Sequence, residues 1–219
     1  MLKLNRRNSR FKILKFNRER NKCMEDIKKI TGILKDKGYV TRSMVAEMGL
    51  NPKLLEKMAN DKEIVKIARG TYQPYNAMED ILFAKICNTP SAVYSHATAL
   101  YFHNFSDRTP IHFDITVPQG YNGKLQEDKN VDLHYVKREY IDLGVITVTS
   151  PFGLPIRIYD LERTICDIIK KKHKMDIEIF TKALKQYAKH KGKNSIKLYD
   201  YAKKFNVDKK LREYLEVLI

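Results

Sequence analysis

GYVTRSMVAEMGLNPKLLEKMANDKEIVKIARGTYQP, residues 38–74, spells out two short helices and a hairpin. Thr41 is placed to cap a helix over residues 42–48, with Val40 before the cap and Val45 one turn in as a hydrophobic staple. Gly49 permits a tight turn, and the same grammar repeats. Asn51 is an N-cap, Pro52 takes the first helical position where its missing N–H costs nothing, and Leu50 and Leu55 form the second staple. In this second helix Leu54 and Met58, with Leu55 and Ala59, make an apolar face, while Lys53, Glu56 and Lys57 fall elsewhere. Residues 64–67 then read as a strand, Arg69 and Gly70 as a turn, and residues 71–73 as the return strand, closed by Pro74. Two capped helices a few residues apart, followed by a hairpin with a basic tip, form the pattern of a winged helix-turn-helix, which lays its second helix in the major groove of DNA. The competing reading is that these pieces are only part of a globular core.

With 219 residues and 43% hydrophobic composition the chain can bury a sizeable core, and its length suits two small domains. The net charge of +16 implies a polyanionic partner, nucleic acid or an anionic membrane surface. The charge is unevenly spread: +8 over residues 1–22, +3 over 23–74, −4 over 75–169 and +9 over 170–219. Both ends are therefore basic around an acidic middle. Cys23, Cys87 and Cys166 are odd in number and widely spaced, which argues against a disulfide framework and a zinc site and for a reducing cytoplasm. No apolar run reaches the eighteen or so residues of a membrane span, and the N-terminus lacks the apolar stretch of a secretory signal.

These features divide the chain into a basic arm over residues 1–23, a winged helix-turn-helix over 24–75 and a C-terminal domain over 76–219. The expected class is α+β: the winged helix, then a mixed strand–helix region, then an all-helical tail. The arm is expected to be disordered when free or to form a weak amphipathic helix through Leu4, Phe11, Leu14 and Phe16. Met24 precedes the first strong helical pattern, Ile27, Ile30, Ile33 and Leu34, so the arm also reads as a translation-start extension. Downstream, short helices are expected over residues 79–87 and from a Ser95 cap to Phe102. Strands are expected where Ile111, Phe113, Ile115 and Val117 alternate with polar residues up to Pro118, and around Val131–Tyr135, 145–149 and 154–158. Asp160 is placed to cap a helix, and three more helices are expected over 177–189, 195–205 and 209–218.

Motifs for chemistry are sparse. His96, His103, His112 and His134 lack the H-x-E or H-E-x-x-H spacing that aligns metal ligands, so no metal ligand and no cofactor is assigned. Walker A, G-x-G-x-x-G and G-x-S-x-G sequences do not occur. The enzymatic alternative is a metal-dependent nuclease of restriction-endonuclease-like type using Asp114, read as a solvent-side strand residue, with Glu127 and Lys129 as an acid-x-Lys pair. Glu127 and Lys129 fall in a polar loop, where metal ligands are poorly preorganised.

The wing, the Ser95-His96-Ala97-Thr98-Ala99-Leu100 helix start, Asp114-Ile115-Thr116-Val117-Pro118, and Leu154-Pro155-Ile156 followed by Asp160-Leu161-Glu162-Arg163-Thr164-Ile165-Cys166-Asp167 occur in that order. In this order the chain resembles the AbiEi family, antitoxins of abortive-infection (type IV) toxin–antitoxin systems, over about residues 24–170. The resemblance implies a non-enzymatic protein. Its N-terminal winged helix represses its own operon, and its C-terminal domain counteracts a nucleotidyltransferase-like toxin, with no stable complex required. It puts DNA contacts on Arg42, Ser43, Asn51, Lys53, Lys57 and Arg69. The family's toxins are thought to act on nucleotides or RNA. Lys182, Lys185, Lys189, Lys193 and Lys197 in the basic tail are accordingly the expected antitoxin surface. The arm before Met24 departs from the family's usual start. Three classes remain: repressor and antitoxin, nuclease, and an RNA-binding or scaffold protein acting through the tail.

Overall fold

The computed structural model describes the backbone of residues 3–218, and the side chains of residue 18 and residues 20–215. It resolves into two compact units, residues 1–88 with 151–154, and residues 89–150 with 155–219. The first unit thus runs past Pro74 and takes in the helix that follows it.

The first unit opens with helix α1, Lys3–Lys37, which is continuous through Met24. The basic arm and the first apolar helix are therefore one helix, so there is no break at residues 23–24. The side chains of Leu4, Phe11, Leu14 and Phe16 lie outside those described. From Ile27 onward the apolar period faces inward, with Ile30 and Leu34 buried and Ile27 and Ile33 packed beside them. Strand β1, Val40–Thr41, leads into helix α2, Arg42–Glu47, and helix α3, Lys53–Asn60. The Thr41 hydroxyl accepts the Met44 N–H at 3.1 Å, and the Asn51 carboxamide accepts the Lys53 N–H at 3.0 Å. Both expected caps are formed, although the regular part of α3 begins one residue later than Pro52. Val45, Leu55 and Met58 are buried with Ile30 and Leu34 in one core. Strands β2, Ile64–Ala68, and β3, Thr71–Pro74, form the wing. β3 is central in the antiparallel order β1-β3-β2, so Val40 pairs with Tyr72 and Val65 with Gln73. Helix α4, Ile81–Ile86, is capped by Asp80, whose carboxylate accepts the Phe83 N–H at 3.0 Å.

The second unit is built on a five-stranded mixed sheet. Its strands are β4, Val93–Tyr94; β5, Phe113–Pro118; β6, Val131–Val136; β7, Val145–Thr149; and β8, Pro155–Tyr159, in the order β6-β5-β4-β8-β7. β5 runs parallel to β6, and β4 parallel to β8, while β4/β5 and β7/β8 are antiparallel. The α+β class holds, with parallel pairs joined by longer connections. Ile111 lies before β5 and is 87% exposed, so the expected alternation begins only at Phe113. Helix α5, His96–Phe102, sits between β4 and β5 in sequence. Helix α6, Leu161–Lys170, has nine of its residues buried and is followed by α7, Ile177–Lys189, α8, Ser195–Lys204, and α9, Asp208–Leu218. Ile165, Ile168 and Ile169 of α6 share a core with Leu100, Ala183, Leu184, Leu198 and Leu211. The helical tail thus packs into this unit's core.

Arg163 organises the joint between α6 and the loop before β7. It is 1% exposed, and its Nε donates to both oxygens of Asp167 at 3.0 and 3.1 Å. Its Nη1 donates to the carbonyls of Tyr140 and Leu143 at 3.1 and 3.2 Å, and its guanidinium lies 3.8 Å from the centre of the Phe205 ring. Gly144 has φ +80°, and a Cβ there would stand 2.9 Å from the Arg163 Cβ, so both backbone conformation and space require glycine. Burial raises the Asp167 carboxyl above the usual carboxylate range, against the opposing pull of the Arg163 charge. Glu162 accepts the Asn194 N–H at 2.9 Å. The Asp160–Asp167 motif is a buried polar network holding helices and loops together.

Candidate functional site

In the first unit, the residues expected to meet DNA are all exposed: Arg42, Ser43, Asn51, Lys53, Lys57 and Arg69. Arg42 opens α2, and its N–H donates to the Gly70 carbonyl at the tip of the wing at 2.8 Å. Gly70 has φ +74°, and a Cβ at that position would come 3.3 Å from the Arg42 Cδ. The wing tip, carrying Arg69, is thereby fixed against the start of α2. The Arg42 guanidinium reaches Glu56 on α3 at 3.3 Å, which links α3 to the same cluster. Lys53 and Lys57 are one turn apart on the exposed face of α3. The Lys57 ammonium lies 3.9 Å from the Cys23 thiol on α1. Asn51 has its carboxamide oxygen engaged in the cap, and Ser43 is the second residue of α2. The geometry is a helix and a wing tip braced by Arg42, with cations on both.

Residues 33–75 match the family described as "Transcriptional regulator, AbiEi antitoxin". The resemblance to AbiEi antitoxins is borne out there, and the matched stretch takes in the end of α1, both short helices and the whole wing. No curated protein matches the chain. Among solved structures, the crystal structure of the RV2827C protein from Mycobacterium tuberculosis is similar, with a TM-score of 0.45 and 13% identity over 85% of this chain and 79% of that one. Among the described residues no helix is long and apolar enough to cross a membrane.

The second unit gathers a polar cluster that spacing in the sequence did not signal. Asp114 is a half-buried residue of β5, not a solvent-side one, because its carboxylate turns toward the start of α5: Oδ2 accepts the Ala97 N–H at 3.1 Å. Its Oδ1 lies 2.7 Å from His134 Nε2 on β6, in the pair of parallel strands that sets Asp114 beside Asp132 and Thr116 beside His134. The His96 ring stacks on the His134 ring with centres 3.7 Å apart. His96 is buried, with φ +45°, an uncommon conformation for a residue other than glycine. Burial, followed by the nearby His134, Lys171 and Arg163, holds its imidazole well below the ordinary histidine range. His96, Asp114 and His134 offer ligand atoms that all lie within 4.8 Å of one another. They border a cavity of about 370 Å³ that Arg108, Lys171 and Lys174 also line. The signal available beforehand was only that His96 and Asp114 fell in the two motifs carrying the family resemblance. Of the other two histidines of the region, His103 bonds the Tyr159 carbonyl at 2.8 Å, while His112 lines the same cavity and lies 3.8 Å from Asp132.

The nuclease candidates are not assembled. Glu127 and Lys129 lie in the turns between β5 and β6, as expected, and neither is among the residues gathered around Asp114. The five tail lysines are also dispersed in their contacts. The Lys197 ammonium lies 2.8 Å from Asp160, a bond that raises its pKa, and Lys182 pairs with Asp107. Lys193 donates to the Ala188 carbonyl, whereas Lys185 and Lys189 are exposed along α7.

Proposed function

We propose that this chain is a DNA-binding repressor of its own operon and the antitoxin to a nucleotidyltransferase-like toxin. DNA contacts fall on α3 and the wing, and the antitoxin activity resides in the second unit. The reading is non-enzymatic and requires no cofactor. The observation that carries it is the Arg42 brace. A recognition helix alone is weak support, but a wing tip hydrogen-bonded to the first residue of α2, whose guanidinium lies beside Glu56 of α3, sets the two cationic elements next to each other. Phosphate contacts from such a surface fix register and orientation on the duplex. The match of residues 33–75 to an antitoxin family supports the paired roles.

The test is binding of the purified chain to duplex DNA from upstream of its own coding sequence, against an unrelated duplex of equal length, across a salt series. Lys57→Ala and Arg69→Ala should each weaken binding. Each should lower the slope of log K against log salt by about 0.9 if one phosphate contact is removed. An Arg69 effect that instead follows A·T content would place its side chain in a minor groove. Unchanged binding in the double variant overturns the assignment. The antitoxin half is tested by co-expression with the adjacent gene and scoring of growth.

A further inference from the structure

We propose that His96, Asp114 and His134 form a three-ligand site for a divalent transition-metal ion in the second unit. The site is assembled from three separate elements, α5, β5 and β6. Each donor is held in place by a contact to another part of the fold. The Ser95 hydroxyl lies 2.9 Å from His96 Nδ1 and accepts a hydrogen bond from Thr116 at 2.8 Å, which fixes one edge of the His96 ring. Asp114 is fixed at both ends: its N–H donates to the Thr98 hydroxyl at 2.8 Å, and its Oδ2 accepts from Ala97. His134 is fixed by its register on β6 and by the 2.7 Å approach to Asp114 Oδ1. Among the described hydrogen bonds His96 uses Nδ1, leaving Nε2 for a ligand, while His134 Nε2 faces Asp114 Oδ1 and would exchange that bond for the ion.

Donor chemistry selects the ion. Two imidazoles and one carboxylate suit zinc and its first-row neighbours, whereas magnesium and calcium take mainly oxygen ligands. With bonds of about 2.1 Å, tetrahedral ligands of one ion lie about 3.4 Å apart. A set already within 4.8 Å is close to that spacing. Three protein ligands leave the fourth position open, and here the cluster borders the cavity of about 370 Å³, which provides both an entry path and room for an exogenous ligand. Holding the His96 backbone at φ +45° has a cost, and ligand placement accounts for it. A bound ion would pin the start of α5 to the parallel β5–β6 pair.

The test uses the full chain, stripped with a chelator and titrated with Zn²⁺ and, for spectroscopy, with Co²⁺. One equivalent should bind, and the Co²⁺ form should show visible d–d absorption of low-coordinate cobalt. His134→Gln and Asp114→Asn should each weaken binding by at least about 100-fold, since second-shell partners alone cost 10–100-fold. His96→Asn removes the third ligand with a residue that tolerates positive φ. Circular dichroism verifies folding of each variant. A second measurement needs no substitution: Zn²⁺ should slow diethylpyrocarbonate modification of the half-buried His134 while leaving the exposed His190 unaffected. Absence of stoichiometric binding, undiminished affinity in a folded His134→Gln variant, or zinc that leaves His134 unprotected overturns the proposal.

Discussion

The Arg42 guanidinium lies 3.3 Å from the Glu56 carboxylate, so a cation of α2 is held beside the recognition helix by an anion belonging to that helix. Both side chains are about half exposed, and an ion pair of that kind contributes little to stability. Its consequence is for binding. Glu56 removes one unit of positive charge from the surface proposed to meet phosphate. Glu56→Gln should therefore tighten duplex binding at low salt and steepen the salt slope by up to about 0.9 if the released Arg42 gains a phosphate contact. Weaker binding by Glu56→Gln, with unfolding unchanged, would mean instead that Glu56 holds Arg42 in its productive position.

Arg163 and Asp167 make the opposite kind of pair, almost wholly withdrawn from water at 1% and 8% exposure. Removing only one partner strands the other charge. Arg163→Met should cost about 3–5 kcal/mol in urea unfolding, and the double variant Arg163→Met, Asp167→Leu should recover part of that loss. A double variant no more stable than the single one would show that the bonds from Arg163 to Tyr140 and Leu143, rather than the ion pair, dominate.

What could be read before the structure depended on how local the cause was. Thr41, Asn51 and Asp160 each satisfy an N–H two or three residues away, so the sequence window contains the whole interaction. β4 has only two residues, too few for any period, yet Val93 and Tyr94 lie at the centre of the five-stranded sheet. The continuity of α1 across Met24 was hidden because apolar residues of its first half such as Leu4, Phe11, Leu14 and Phe16 are sparse among charged and Asn residues, whereas those of the second recur at helical spacing. The His96–Asp114–His134 cluster was illegible for another reason: its members are 18 and 20 residues apart and meet only through strand register and the turn into α5. Likewise, counting tail charge gave no sign that Lys197 is taken up by Asp160.

Acid should act on α7 through its N-cap. The N–H groups of Glu178 and Ile179, and then Arg108, hold the Asp176 carboxyl below its usual range. Because the folded pKa is depressed, the unfolded chain binds more protons in acid. The cap's contribution is therefore present above about pH 4, near the unfolded carboxyl value, and is lost as pH falls through the folded one. Asp176→Asn keeps an oxygen acceptor that does not titrate in this range. Thermal midpoints recorded from pH 2.5 to 7 should show a shallower acid limb for the variant. Parallel limbs would remove Asp176 from the acid response.

Repression and antitoxin action are expected to separate because the surfaces proposed for them lie on different units. The cations proposed for DNA, Lys53, Lys57 and Arg69 with Arg42, all belong to the first compact unit. The acidic stretch of residues 75–169, at −4, offers phosphate no attraction, whereas residues 170–219 carry +9. Of the tail lysines, Lys185 and Lys189 are exposed on α7, so they are the ones best placed to meet a polyanion or an acidic surface. In the intact chain, Lys57→Ala with Arg69→Ala should abolish promoter repression while cells remain protected from the cognate toxin. Lys185→Ala with Lys189→Ala should do the reverse. Attraction through exposed lysines is screened over about 10 Å at 0.1 M salt, so contacts made in vitro by this second surface should weaken as salt rises. Loss of both activities in either folded double variant, measured by reporter repression and growth rescue in the same strain, would show that one surface serves both.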